Sequence, residues 1–235
     1  MIAAVAALIA LAENTAIKPE PRGDAWWTTR HQQALDLIKS GRKIELALIG
    51  DSITHGWGGL PQPNEPWKGV APDLYDKLFG PYNPINLGFS GDRTQHVLWR
   101  LDNGELDGYK PKVCMVMIGT NNMGSNSPEE IAEGVTAVVD KIHAKAPEAK
   151  VLLCSILPRE WENGEIRKKV AATNAILAKQ KWGDYVAYTP CWDGFLNEDN
   201  RMIEGLMPDQ LHPNDKGYEV WAEMIRPTLK RLMGG

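Results

Sequence analysis

The amino-acid sequence predicts an α/β domain built on a parallel β-sheet with helices on both faces. Two observations carry this expectation. Short apolar runs alternate with helical patterns along the chain, as expected for parallel strands joined by helical crossovers. The unusual polar residues fall just after those runs, at the strand ends where such sheets place their ligands. A length of 235 residues suits one such domain better than two. The expected division is an N-terminal extension over residues 1–21 and a single domain over residues 22–235.

The chain opens on an apolar run, Met1 to Ala12, which is too short to span a bilayer as a helix. It fits the hydrophobic part of a secretory signal, with Ala10-Leu11-Ala12 as a small-x-small cleavage site. That reading predicts a secreted or periplasmic protein. No Lys or Arg precedes the run, so a short N-terminal helix on a cytoplasmic protein is the alternative. The stretch from Ala25 to Ser40 reads as a helix with Trp26, Leu35 and Ile38 turned inward, stopped by Gly41. Five strands are expected: Ile44 to Ile49, Pro84 to Leu87, Val113 to Ile118, Lys150 to Ile156 and Tyr185 to Tyr188. Helical patterns lie between and after them, at Val70 to Phe79, Thr94 to Leu101, Pro128 to Ala146, Ile166 to Gln180 and Asn214 to Leu232.

Composition narrows the function classes. At 43% hydrophobic residues the chain can bury a full core. A net charge of -4 with no basic stripe argues against a nucleic-acid partner. Cys114, Cys154 and Cys191 show neither disulfide nor zinc spacing, and two of them sit inside expected strands, so core packing is their expected role. Walker, Gly-x-Ser-x-Gly, His-Glu-x-x-His and paired Cys-x-x-Cys motifs are absent. No metal or organic cofactor is expected.

The candidate chemistry lies at the ends of the first three strands and before the last helix. Ser52, in Gly50-Asp51-Ser52-Ile53, follows the first strand directly. A serine at such a turn either caps the next helix or exposes a hydroxyl near free backbone N–H groups. As a nucleophile it needs an adjacent base. His31 and His143 fall within helices, His96 in the first turns of one, and His55 on the serine's own turn, pointing elsewhere. His212 stands in a loop, three residues after Asp209, whose carboxylate can hold one imidazole nitrogen and leave the other free to accept a proton. Gly91 and Asn121 end the next two strand-loop segments. With the Ser52 N–H they would supply three donors to an oxyanion, although both also read as ordinary turn residues. Ser90 is the rival serine, without an Asp-x-x-His of its own.

Four blocks therefore stand in order: Gly50-Asp51-Ser52-Ile53, Asn86-Leu87-Gly88-Phe89-Ser90-Gly91-Asp92, Gly119-Thr120-Asn121-Asn122 and Asp209-Gln210-Leu211-His212-Pro213. Together they resemble the SGNH/GDSL hydrolase superfamily. The stretch from Gly91 to Leu106, with Lys110-Pro111-Lys112 and Leu157-Pro158-Arg159, is similar to the intracellular platelet-activating-factor acetylhydrolase branch. The resemblance covers roughly Arg22 to Leu232. It implies a flavodoxin-like three-layer α/β/α sandwich with a five-stranded sheet in order 2-1-3-4-5. It also implies Ser52 as nucleophile, His212 as base, Asp209 as orienting carboxylate, and Ser52, Gly91 and Asn121 as oxyanion donors. Asp51, Ile53, Thr120 and Leu211 adjoin these positions and are expected to line the substrate site, with the last three walling a small acyl pocket. A homodimer is compatible with the resemblance; stable membrane insertion is not expected.

One loop departs from that branch. His55 to Trp67 looks longer, and its Trp57 and Trp67 are expected to offer flat faces beside the serine. The reading that follows is an esterase removing acetyl groups from carbohydrates. An esterase acting on lipid esters and a catalytically inactive carbohydrate-binding or interaction module on the same fold are the alternatives.

Overall fold

The computed structural model describes residues 13–61, 67–160 and 164–235. The apolar run at the N-terminus and the middle of the loop before Trp67 lie outside the described residues. Five parallel strands form one sheet: β1 (Leu46–Gly50), β2 (Pro84–Gly88), β3 (Val113–Met117), β4 (Lys150–Cys154) and β5 (Val186–Thr189). Their order is β2-β1-β3-β4-β5, as expected. The helices are α1 (Ala25–Lys39), α2 (Ser52–His55), α3 (Pro72–Phe79), α4 (Thr94–Asp102), α5 (Pro128–Lys145), α6 (Glu165–Lys179) and α7 (Asp215–Leu232).

Strand side chains alternate between two apolar layers, because successive residues point to opposite faces. Ala47 and Ile49 join a layer with α1, α4, α5 and α6, while Leu46 and Leu48 join one with α3 and α7. Each fully buried Leu, Ile or Val contributes roughly 1.5–3 kcal/mol. β1 and β3 are buried along their whole length, which explains their nearly unbroken apolar sequences.

Element ends differ from the sequence expectation where local hydrogen bonding overrides apolar character. α3 begins at Pro72 rather than Val70, because proline suits the first helical turn; the Val70 N–H instead bonds the Gly56 carbonyl at 2.7 Å. β4 stops at Cys154, and two residues on, the Asn174 amide holds both the N–H and the carbonyl of Ile156. On α1 the inward face is Trp27, Arg30, His31, Ala34 and Ile38. Trp26 is exposed and Leu35 only half-buried, contrary to expectation. Two polar residues sit on the buried stripe because their hydrogen bonds are satisfied: Arg30 donates to the carbonyls of Gly88, Pro61 and Asn86, and His31 Nδ1 lies 2.8 Å from Glu105.

All three cysteines are buried free thiols, and burial pushes Cys114 up to about 12. Among the described residues, no helix is long and apolar enough to cross a membrane.

Candidate active site

β1 delivers Ser52 through a turn that other residues hold. Asp51 is extended, and its carboxylate accepts the Ile53 N–H at 3.0 Å, so Asp51 rather than Ser52 caps α2. This leaves the serine hydroxyl free. The turn is fastened from both sides. Tyr218 of α7 donates to the Ile53 carbonyl at 2.7 Å. Buried Asn86 of β2 donates to the carbonyls of Thr54 and Gly58. Gly88 lets α2 approach β2, because a Cβ there would collide with the His55 backbone nitrogen. Asp51, expected among substrate contacts, is a buried residue that holds the turn. Burial pushes its carboxyl up to about 7, against the hydrogen bond from Ile53.

The loop before α7 brings the histidine to this hydroxyl. His212 Nε2 lies 2.9 Å from Ser52 Oγ, across 160 residues of chain. His212 Nδ1 lies 2.6 Å from Asp209 Oδ2, while Asp209 Oδ1 accepts the N–H groups of Leu211 and His212. Between them Gln210 takes a left-handed φ of 64°, which is costly for a residue with a Cβ. Its carbonyl accepts the Glu160 N–H at 3.1 Å, pinning the loop to the segment after β4. Desolvation is the largest single influence and pushes the Asp209 carboxyl up, but the hydrogen bonds from the His212 side chain and from the His212 and Leu211 backbone together outweigh it and leave it below the usual range. With the Nδ1 proton directed at the carboxylate, the Nε2 lone pair faces the hydroxyl.

Gly91 and Asn121 come from the loops after β2 and β3. Gly91 has φ 83°, a region that favours glycine. Asn121 Nδ2 donates to the Asp92 carbonyl at 2.9 Å, which fixes the amide plane and leaves its second N–H for another acceptor. Beneath this loop lies a charged set that sequence reading missed as a unit. Asp92 accepts from Trp27 Nε1 and Arg100 Nε, each at 2.8 Å, and from Arg22 at 3.4 Å. Arg100 also pairs with Glu105, which is held in turn by His31, and its guanidinium lies 3.9 Å over the Phe89 ring. Burial pushes the Asp92 carboxyl up, and the Arg100 charge pulls it back. In the sequence these residues lie scattered; the similarity of the Gly91–Leu106 stretch took in Asp92, Arg100 and Glu105 but not Arg22, Trp27 or His31.

The residues expected around the substrate separate. Ile53 and Thr120 are almost wholly buried behind the serine turn and the Asn121 turn, while Leu211 is half-buried beside His212. Trp57 is no substrate face: it is fully buried, packed on Phe79, Tyr218 and Trp221 with ring centroids 4.7–5.1 Å away. The apolar layer under α3 and α7 takes up the first tryptophan of the loop. Trp67 stays 42% exposed, in edge contact with the His55 ring at 4.8 Å. His55 turns its Nδ1 to Ser90 Oγ, 3.0 Å away, rather than to the hydroxyl of Ser52. Burial pushes its pKa down to about 3, so it is neutral at ordinary pH. Among the described residues, no group of three or more His, Cys, Asp or Glu is placed to hold a metal ion.

Comparison with known proteins adds an independent line. The model of the GDSL-like Lipase/Acylhydrolase family matches residues 48–220. The chain is 33% identical over 226 residues to platelet-activating factor acetylhydrolase IB subunit alpha1 of Bos taurus, covering 94% of this chain and 91% of that protein. Among solved structures, a GDSL-like lipase from Bacteroides thetaiotaomicron superposes with a TM-score of 0.67 at 16% identity, covering 86% of this chain and 97% of the other. An acetyl-xylooligosaccharide esterase from Geobacillus Stearmophilus superposes with a TM-score of 0.59 at 18% identity, covering 82% and 94%. At such identities these two likenesses speak for the fold alone.

Proposed function

The chain belongs to the GDSL-like lipase/acylhydrolase family and is a carboxylic ester hydrolase, and from that premise we propose that it releases acetyl and similarly short acyl groups from carbohydrate esters through an acyl-enzyme on Ser52. The observation that carries the mechanism is the chain of contacts from Ser52 Oγ to His212 Nε2 and from His212 Nδ1 to Asp209. His212 takes the hydroxyl proton as Ser52 Oγ attacks the ester carbonyl. The oxyanion is stabilised by the N–H groups of Ser52 and Gly91 and the Asn121 amide. His212 then protonates the leaving alcohol, and a water activated by the same imidazole releases the acid. Asp209 keeps the imidazole oriented and balances its transient charge. An inactive module would have no need of this aligned set, which favours the enzyme reading over the binding one.

The acyl side is read as small because buried Ile53 and Thr120, with half-buried Leu211, adjoin the nucleophile, the amide donor and the base. The alcohol side is read as a sugar because exposed Trp67 offers an apolar face in the same region. The apolar run Met1 to Ala12 supports an exported enzyme, which would meet acetylated polysaccharide outside the cytoplasm. The lipid reading is favoured by the relative from Bos taurus, a subunit of a platelet-activating factor acetylhydrolase. The test is kcat/KM on acetylated xylooligosaccharides, nitrophenyl esters of graded acyl length and an acetyl phospholipid, with Ser52→Ala as the blank. Preference for acetyl over chains of eight or more carbons, with turnover of the acetylated sugars, is expected. Efficient long-chain cleavage without activity on any acetylated sugar would overturn the carbohydrate reading.

A further inference from the structure

Two neighbouring tryptophans of α1 have opposite fates. Trp27 is fully buried and donates its indole N–H to Asp92. Trp26 remains 37% exposed, although Phe89 and His55 both lie against it. The loop after α2 repeats the division, with Trp57 buried and Trp67 exposed. Both exposed indoles touch one imidazole: Trp26 lies 5.6 Å from the His55 ring and Trp67 lies 4.8 Å from it. His55 closes the short helix that Ser52 opens, and it bonds Ser90, the residue before Gly91. The two indoles therefore gather where the nucleophile turn meets the Gly91 loop. In each pair, the buried tryptophan already supplies the packing. Two partly exposed indoles around one neutral, buried imidazole leave apolar surface in water beside a reaction centre, which marks a ligand face.

We propose that Trp26 and Trp67 are two aromatic walls of the alcohol subsite, gathered around His55, and that their ligand is a carbohydrate ring. The assignment rests on the carbohydrate reading of Ser52 chemistry and extends it to Trp26 of α1, which lies outside every motif block in the sequence. A sugar ring presents apolar C–H faces and polar edges, which suits broad exposed indoles better than a deep acyl-chain groove would. Ser90, and Arg22, whose 25% exposed side chain reaches from the N-terminal segment to donate to the Ser90 carbonyl, add polar groups at this loop.

The test separates this subsite from the chemistry. Ethyl acetate, whose alcohol has no ring, reports the chemistry, and unacetylated xylooligosaccharide is added as a competing product. Trp26→Ala and Trp67→Ala should each weaken inhibition by the oligosaccharide roughly tenfold, the scale of one lost aromatic face. The ratio of kcat/KM on acetylated xylooligosaccharide to that on ethyl acetate should fall by a similar factor. Trp26→Phe should restore part of both, and it carries the test if Trp26→Ala melts early. Wild-type turnover of the sugar ester, with inhibition unchanged in Trp26→Ala and Trp67→Ala, would overturn this assignment and leave the carbohydrate reading standing. Wild-type enzyme that cleaves ethyl acetate but no acetylated sugar would overturn both.

Discussion

Asp209 and Asp92 each hold a basic side chain at the same end of the sheet, yet they belong to opposite physical regimes. The Asp209 side chain is 56% exposed, and the backbone of its own turn holds it against His212. The Asp92 side chain is 0% exposed and is held by Arg100, Trp27 and Arg22, which come from two helices and the N-terminal segment. An exposed pair is screened by water and contributes little to stability. A buried one is costly to break, because its orphaned partner stays in the low-dielectric interior. The first pair is therefore free to serve chemistry, whereas the second sets the floor on which Asn121 and the Gly91 loop rest.

The sharpest test removes the exposed partner. His212→Ala should lower ester hydrolysis by roughly 10⁴–10⁶-fold while the thermal midpoint stays close to wild type. Retained turnover within a factor of ten would abolish the distinction and move suspicion to Ser90 with His55. Arg100→Met should show the reverse emphasis. Asp92 and Glu105 lose their shared cation, and unfolding free energy should drop by about 3–5 kcal/mol in denaturant titration. A loss under about 1 kcal/mol would mean that the two carboxyls simply take up protons.

Asn121→Ala probes the seam between the two regions, because this amide bonds the Asp92 carbonyl and is the proposed side-chain donor to the oxyanion. Turnover should fall by roughly 10²–10³-fold with a smaller change in KM. A change confined to KM would make Asn121 a ground-state contact. The last comparison is in the pH dependence of stability. Asp51 has a raised folded pKa, so its favourable contribution is complete below 3.8 and is lost as pH rises through about 7. Asp209 has a lowered one, so its contribution is present above the ordinary carboxylate range and is lost as pH falls. Asp51→Asn should flatten the stability profile between pH 4 and 7 and leave the acid limb in place. An unchanged profile would show that Asp51 does not titrate there.

By itself, the sequence determined the α/β class, the five strands and the positions of Ser52, Asp209 and His212. These features are local. Apolar runs mark strands, the polar residues that interrupt them fall at strand ends, and Asp209 reaches His212 within one turn of loop. Only the tertiary structure decided which tryptophan of each pair meets water. Trp57 and Trp67 look alike in sequence, but α3 and α7 close over the first alone. Trp26 looks as apolar as Trp27, yet the buried face of α1 is set by where Gly88, Pro61, Asn86 and Glu105 offer acceptors to Arg30 and His31. Periodicity reports the faces of one element taken alone. Burial, and with it the pairing of Asp92 with Arg100, depends on the elements that pack against it, and those contacts join residues far apart in the chain.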